Sequence, residues 1–199
     1  MLLRQSLIIF FFWVLETVRI ILKKKKILAK EIDDNGRSPL HFAAHLGYRS
    51  IVEQLLECDK STAYIADLEG KMTALHMAAR QGHASIMKDI IRYCPDCCYL
   101  VDKRGWNFLH FAAVTLHGYS FTQFFGDSFC IRYVSMQNLL GQKDEHGNTP
   151  LHVLASSRPF YYGIAMDLQK AKILELSEEN LTMNKVSPSY VFVLFAHLP

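Results

Sequence analysis

The sequence predicts an all-α solenoid in which helix–turn–helix units stack in one row. Three observations predict it: one short segment recurs, each copy joins a glycine turn to a helix start, and a second apolar helix follows at a fixed distance. The segment is Asp34–Ala44, and its copies are Asp67–Ala79, Asp102–Ala113 and Asp144–Ala155. Their histidines stand at positions 41, 76, 110 and 152, so the intervals are 35, 34 and 42 residues. The first two intervals lie close to the roughly 33 residues of one class of helical solenoid.

Each copy begins with an Asp-x-x-Gly turn and continues into a helix. The turn glycines are expected to adopt a backbone conformation that a Cβ would penalise; they are Gly36, Gly70, Gly105 and Gly147. The next polar residues suit the N-cap, because a side-chain oxygen can accept a first-turn N–H; they are Ser38, Thr73, Asn107 and Thr149. Pro39 and Pro150 fit the first helical position, where no N–H is needed. Three leucines are predicted to share one continuous core: Leu40, Leu75 and Leu109.

The second helix of a unit is visible as an apolar stripe. Residues spaced i, i+1, i+4 and i+5 lie on one face of a helix. The stripe is Ile51, Val52, Leu55 and Leu56 in the first unit, and Ile86, Met87, Ile90 and Ile91 in the second. Between the helices, Gly47 and Gly82 each stand six residues after the histidine. A left-handed glycine is common at the end of a helix, so each is predicted to end the first helix of its unit.

These units resemble ankyrin repeats. The resemblance rests on Ser-Pro-Leu-His-Phe-Ala-Ala at Ser38–Ala44 and on Thr-Ala-Leu-His-Met-Ala-Ala-Arg-Gln-Gly-His at Thr73–His83. Cys94–Cys98 and Val101–Ala112 further resemble plant ankyrin membrane proteins of the accelerated-cell-death type, over residues 31–113 and more weakly over 143–170. In that family several membrane helices follow the repeats, and none is evident here. The resemblance implies a non-enzymatic, protein-binding scaffold linked to plant defence or cell-death signalling at the plasma membrane.

The predicted architecture has three to four repeats, of which the third is irregular and the fourth degenerate. The segments are a leader at 1–30, repeats at 31–66, 67–101 and 102–143, a partial or capping repeat at 144–176, and a tail at 177–199. The longer third interval places extra aromatic residues within 115–136. They fit a binding protrusion, since insertions in solenoids map to loops on one face, but equally a distorted second helix or an insertion from a faulty gene model.

The leader holds an apolar run, Leu2–Leu22, followed directly by Lys23–Lys26. Its Leu, Ile, Phe and Val residues favour bilayer insertion by about 4 to 8 kcal/mol, against about 3 kcal/mol for Glu16 at the centre. A membrane contact is therefore predicted, with the lysines and the repeats on the cytosolic side. A signal peptide or a leader without function are the alternatives, and the second would leave the repeats in the cytoplasm.

Composition and motifs argue against several functions. The net charge of +3 reduces to −1 without the four lysines, so no basic field indicates a nucleic-acid partner. The cysteines number five and include Cys94, Cys97 and Cys98, but no second ligand pair completes a metal site, and an odd count fits a reducing compartment. The recurring histidines are predicted to donate hydrogen bonds to the neighbouring turn. No catalytic, cofactor-binding or metal-binding residue is predicted.

Protein binding is the predicted activity, because a stack of repeats presents an extended concave surface. The turn tips and the adjoining helices form that surface. Candidate contact residues at the tips are Asn35, Arg37, Glu69, Lys71, Arg104, Trp106, His146 and Asn148. Trp106 and Arg104 belong to the types enriched at binding hot spots, although a tip tryptophan equally fits packing on a neighbouring turn. The alternative function is a soluble scaffold, or a truncated member of the plant family, with no membrane role.

Overall fold

The computed structural model describes residues 15–116 and 136–157. Within these ranges the protein is helical, and its only β-type pairing is an isolated bridge between Ala66 and Thr73. The α-helices are α1 (Pro39–Leu46), α2 (Arg49–Cys58), α3 (Ala74–Arg80), α4 (Ala84–Tyr93), α5 (Phe108–Thr115), α6 (Met136–Gly141) and α7 (Pro150–Ser157). Short 3-10 helices span Lys26–Ala29, Lys60–Tyr64 and Pro95–Tyr99, and residues 15–24 are also helical.

The helices stack as the repeats predict. α1, α3, α5 and α7 form an inner row in which each helix packs on the next. α2 and α4 pack together behind α1 and α3 and complete two helical hairpins. The predicted all-α solenoid is therefore confirmed.

Gly47 separates the two helices of the first hairpin. Its φ of 81° is left-handed, as the sequence predicts for a residue that ends a helix. A Cβ at this position would lie 3.1 Å from the His83 ring of the next unit, so a side chain would press on the stacking neighbour as well as strain the backbone. Gly82 has the same role in the second hairpin, with a φ of 73°.

The core runs through the inner row and continues between the outer helices. Leu40, Leu75 and Leu109 are all buried, and they extend to Leu151 in α7. The predicted leucine core is thereby confirmed. Both predicted stripes also face inward: every member is buried except Ile51, which is partly buried. Burial of a Leu or Ile side chain stabilises a fold by about 1.5 to 3 kcal/mol.

One ion pair joins the outer helices. Nε and Nη2 of Arg49 in α2 donate to the two carboxylate oxygens of Asp89 in α4, at 2.5 and 3.0 Å. Arg92 adds a weaker contact at 3.7 Å. Asp89 is only 1% exposed, so this charge relies on its arginine partners.

The described end of the leader covers the first repeat. Leu22 and Ala29 are buried in the core, and Lys30 pairs with Asp59 at 2.8 Å. In residues 15–116 and 136–157, no helix is both long enough and apolar enough to cross a bilayer. Most of the predicted anchor (1–14), most of the 115–136 insertion, and all residues from 158 onward lie outside the described residues.

Candidate functional site: a cleft between the turns and the inner helices

The turns share one hydrogen-bond pattern centred on an aspartate. Oδ1 of Asp102 accepts from the backbone N–H groups of Arg104 and Trp106, both at 2.8 Å. Oδ1 of Asp33 accepts in the same way from Asn35 and Arg37, at 3.0 and 2.8 Å. The first turn therefore begins at Asp33 rather than at the predicted Asp34. Because Asp33 and Asp34 are adjacent, the sequence did not show which of them begins the turn.

The second turn is one residue longer than the others. Asp67 Oδ1 accepts from Gly70 N–H and Met72 N–H, at 2.9 and 3.0 Å. Within the described residues Lys71 is the only non-glycine with a positive φ, 55°, whereas Gly70 has no left-handed φ. The predicted backbone role of Gly70 is thus wrong. The extra residue moves the left-handed position one step along the chain, onto a lysine.

Backbone hydrogen bonds connect each turn to the next. Leu68 N–H donates to the Asn35 carbonyl at 2.9 Å, and Lys103 N–H donates to the Gly70 carbonyl at 2.8 Å. Glu145 N–H continues the series to the Arg104 carbonyl at 3.0 Å. The predicted alignment of the turn tips along one edge is confirmed.

The recurring histidines connect the units on the inside. Nδ1 of His76 accepts from Thr73 N–H at 3.0 Å, and Nε2 donates to the Leu100 carbonyl at 3.2 Å. This network requires a neutral ring with its proton on Nε2. Burial agrees, because it lowers the pKa of His76 and of His110 to about 4. His41 and His110 make the same Nε2 contact with Met72 and Asn148, so the predicted donation to the neighbouring unit is confirmed.

Thr73 occupies the predicted N-cap position of α3. It forms a capping box with His76, yet the shortest contact of its hydroxyl, at 2.9 Å, is with Nδ1 of the His76 ring. Asn107 caps α5 more directly, since its Oδ1 accepts from Leu109 N–H at 3.0 Å and from His110 N–H at 3.3 Å. Thr73 and Asn107 are therefore the N-cap residues, as predicted. The closest contact of the Thr73 hydroxyl is the His76 ring, whereas Asn107 accepts directly from backbone N–H groups.

A cleft of about 630 Å³ lies between the turn tips and the inner helices. We call its buried apolar lining residues the floor of the cleft; they are Met72, Met77, Trp106, Phe111 and Val114. Its rim is charged and includes Arg37, Glu69, Arg80, Lys103 and Arg104. The lining comes from three consecutive units, so a ligand in this cleft contacts several repeats at once.

Comparison with known families identifies these units. Residues 35–67 and 70–103 match the ankyrin repeat family model. Both segments are ankyrin repeats. No curated protein matches the sequence. The third and fourth units keep the aspartate turn of the two matched repeats, and their histidines take up the same position in α5 and α7.

Trp106 lies inside the ankyrin stack rather than at a tip. Its side chain is 1% exposed, and Nε1 donates to Oδ2 of Asp144 at 2.9 Å. The ring stacks on His110 at 5.5 Å and lies under the Arg104 guanidinium at 4.5 Å. Of the two interpretations that the sequence left open for Trp106, the structure supports packing on the next turn, because Asp144 supplies the hydrogen-bond acceptor that a buried indole needs. Trp106 also lines the cleft described above.

The prediction of Asn148 as a contact residue is corrected, because only 5% of this residue is exposed. Its N–H donates to Asp144, and its carbonyl accepts from His110. The other candidates remain accessible: Asn35, Glu69, Lys71 and His146 are exposed, and Arg37 and Arg104 are half-buried. Of these six, the cleft brings together Arg37, Glu69 and Arg104, with Arg37 paired to Glu69 at 3.4 Å.

Sequence reasoning missed the floor of the cleft. Met77 and Phe111 directly follow the recurring histidine, at a position that holds Phe, Met, Phe and Val in the four copies. That position faces the cleft, whereas the flanking leucine and alanines face the core. A variable residue inside an otherwise constant motif was the available signal.

The three cysteines that follow α4 are part of the buried core of the second repeat. Cys94, Cys97 and Cys98 are buried, and the Cys94 thiol donates to the Lys60 carbonyl at 3.2 Å. Burial raises the pKa of Cys94 to about 11, so its sulfur remains a protonated thiol at neutral pH. The described residues contain no cluster of three or more His, Cys, Asp or Glu arranged to hold a metal.

Proposed function

We propose that this ankyrin array is a non-enzymatic scaffold that binds a protein partner in the cleft. The observation that supports it most is the lining, an apolar floor with a charged rim drawn from three repeats. An apolar pocket surrounded by polar groups is typical of the energetic centre of a protein interface. A short, extended or helical segment of a partner is the ligand that such a cleft fits.

The titratable groups around the cleft support binding rather than catalysis. The carboxylates of Asp67 and Asp102 already accept hydrogen bonds from their own turns. His76 and His110 are buried and hydrogen-bonded to the backbone. A general base needs a free lone pair within reach of a substrate, whereas Oδ1 of both aspartates and Nδ1 of His76 accept hydrogen bonds within the fold.

Site-directed photocrosslinking tests the location of binding. Peptides are selected from a displayed random library on the purified full chain. Each is then irradiated with a chain carrying p-benzoylphenylalanine in place of Glu69, on the cleft rim. The control chain carries the same residue in place of Glu57, an exposed glutamate on α2. Crosslinking at position 69 and not at 57 is expected. Equal crosslinking at both positions contradicts binding in the cleft.

We further propose that the repeats are held at the surface of a membrane. Lys23–Lys26 are exposed, and Ile20, Ile21 and Ile27 are exposed beside them. Exposed isoleucines next to lysines suit the surface of an anionic bilayer. Together with the apolar run Leu2–Leu22, they favour repeats held at the cytosolic face of a membrane. The resemblance of Cys94–Ala112 to plant cell-death proteins favours the plasma membrane and defence signalling.

Sealed microsomes test the location and the orientation together. After expression of a tagged chain, external protease should degrade the repeats, and the chain should resist carbonate extraction. A variant with Lys23–Lys26 changed to glutamine serves as the control for orientation. Repeats protected from protease would contradict the orientation. Complete release by carbonate would favour the alternative, a scaffold with no membrane role.

A further inference from the structure

We infer that Arg104 is a preformed carboxylate anchor, and that the partner segment carries an acidic side chain beside an apolar one. This inference rests on the proposed binding in the cleft and specifies the chemistry of the partner.

The Arg104 guanidinium is fixed from three directions. Its centre lies 4.5 Å from the Trp106 ring and 5.6 Å from the Phe111 ring. Its Nε donates to Oδ2 of Asp102 at 3.1 Å. The two rings lie at 72° to each other, so together with the Nε bond they restrict the position of the guanidinium from different directions. Arginine is suited to such a site because its guanidinium is planar and permanently charged.

The outer edge of the guanidinium remains available. Among the described residues, the bond from Nε is the only hydrogen bond that the Arg104 side chain makes. The two terminal nitrogens therefore keep their N–H groups for a ligand. A carboxylate accepts two parallel N–H bonds from an arginine, and these bonds are about twice as strong as neutral ones. Because Arg104 is already ordered, little side-chain entropy is lost on binding.

The charges of the cleft also favour an anion. Its cationic lining residues are Arg37, Arg80, Lys103 and Arg104, and its acidic ones are Asp67, Glu69 and Asp102, which leaves an excess of one positive charge. Asp67 and Asp102 are buried and engaged in their turns. Glu69 pairs with Arg37 at the exposed rim. An incoming carboxylate therefore meets no free buried carboxylate beside Arg104.

The apolar floor of the cleft predicts the apolar residue that lies beside the acidic one in the partner segment. Met77 and Phe111 line the cleft beside Arg104. Methionine side chains adapt to the shape of an apolar ligand, and the Phe111 ring offers a flat contact. A segment with an acidic residue next to a leucine, methionine or aromatic residue complements both parts of the site.

The displayed library tests this chemistry directly. Peptides selected on the full chain should be enriched in Asp or Glu adjacent to an apolar residue. For the strongest peptide, changing its acid to the amide should weaken binding at least tenfold. Arg104→Gln should weaken binding of the acidic peptide to the same extent and should remove the difference between acid and amide. Arg104→Lys should restore only part of the binding, because lysine lacks the bidentate edge.

Arg37→Gln is the matched control, since Arg37 lines the same cleft but pairs with Glu69 through its terminal Nη2, whereas Arg104 pairs with Asp102 through Nε. The Arg37→Gln variant should still bind the acidic peptide more tightly than the peptide whose acid is changed to the amide. The near-ultraviolet circular dichroism of each variant should match that of the parent chain, which shows that Trp106 packing is intact; Arg104→Lys supplies the comparison if Arg104→Gln alters it.

The outcomes separate the two proposals. Peptides that crosslink at position 69 yet show no acidic enrichment, and bind Arg104→Gln as well as the parent, overturn the anchor and leave the proposed function standing. A selection that yields no peptide crosslinking at position 69 overturns both.

Discussion

The inner and outer rows of helices are joined by different means. In the inner row the same contacts recur from unit to unit: an aspartate turn, a turn-to-turn hydrogen bond and a histidine that donates to the next unit. In the outer row α2 and α4 are joined by apolar packing, by the Arg49–Asp89 ion pair and by a hydrogen bond from the Tyr93 hydroxyl to Glu57, and these polar contacts have no copy in the motif. The contacts that recur with the repeat therefore lie in the inner row of helices. The polar contacts of the outer row are made by residues that do not recur.

Truncation in the inner row should have the largest effect. Leu75 is buried in α3, which packs against both α1 and α5. Leu75→Ala should lower the free energy of unfolding by about 2 to 5 kcal/mol, because it leaves a cavity between two interfaces. Urea denaturation measures the loss. Leu46→Ala, at an exposed leucine of α1, is the control and should change stability little. A loss under about 0.5 kcal/mol for Leu75→Ala would show that the core assignment is wrong.

Acid should weaken the inner row selectively, because the second helices α2 and α4 contain no histidine. His76 and His110 have a pKa of about 4 in the folded protein and about 6.5 unfolded. Between these values the unfolded chain binds more protons, so stability is present above pH 6.5 and is lost as the pH falls towards 4.

The expected slope near pH 5 is about 1.2 kcal/mol per pH unit for each histidine, because the unfolded ring is almost fully protonated there and the folded ring almost fully neutral. Urea denaturation at pH 7, 6 and 5 measures it. Asp59, whose pKa is lowered to about 2 by Lys30 and Ser61, contributes constant stability between pH 5 and 7 and loses it only as the pH falls below 3.8, so it does not interfere. Equal stability at pH 7 and pH 5 would be incompatible with buried neutral rings.

The outer row should respond to loss of its ion pair. Arg49→Ala removes the closest ionic partner of the buried Asp89 carboxylate and leaves it the 3.7 Å contact to Arg92. Removing a partner from a buried charged group costs about 1 to 3 kcal/mol, and Arg49 is itself 51% exposed, which places the effect in the lower part of this range. Glu53→Ala removes only the exposed partner of Arg49 and should cost under about 1 kcal/mol. Similar losses for both variants would mean that the buried carboxylate does not depend on Arg49.

The same division explains what the sequence could predict. The leucine core, the N-caps, the helix-ending glycines and the histidine contacts all depend on residues that recur, so their positions are visible as a pattern. The Arg49–Asp89 pair joins residues 40 apart in sequence and appears once in the described chain. Trp106 is buried because Asp144 approaches it from the next unit, across a segment whose length departs from the repeat. Neither contact leaves a periodic signal.

Lys71 offers the smallest but most local test, because it breaks the inner pattern at one residue. In the second turn it holds the left-handed φ that Gly105 holds in the third. A left-handed conformation costs a residue with a Cβ about 1 to 2 kcal/mol, part of which glycine offsets through its greater freedom when unfolded. Lys71→Gly should therefore raise stability by about 0.5 to 1 kcal/mol. Lys103→Gly, at a residue without a positive φ in the third turn, should lower it. Thermal unfolding of both variants and of Lys71→Ala measures the difference, and Lys71→Ala should match the parent because alanine keeps the Cβ. If Lys71→Gly and Lys103→Gly changed stability in the same direction, the left-handed lysine would not be the feature that distinguishes the two turns.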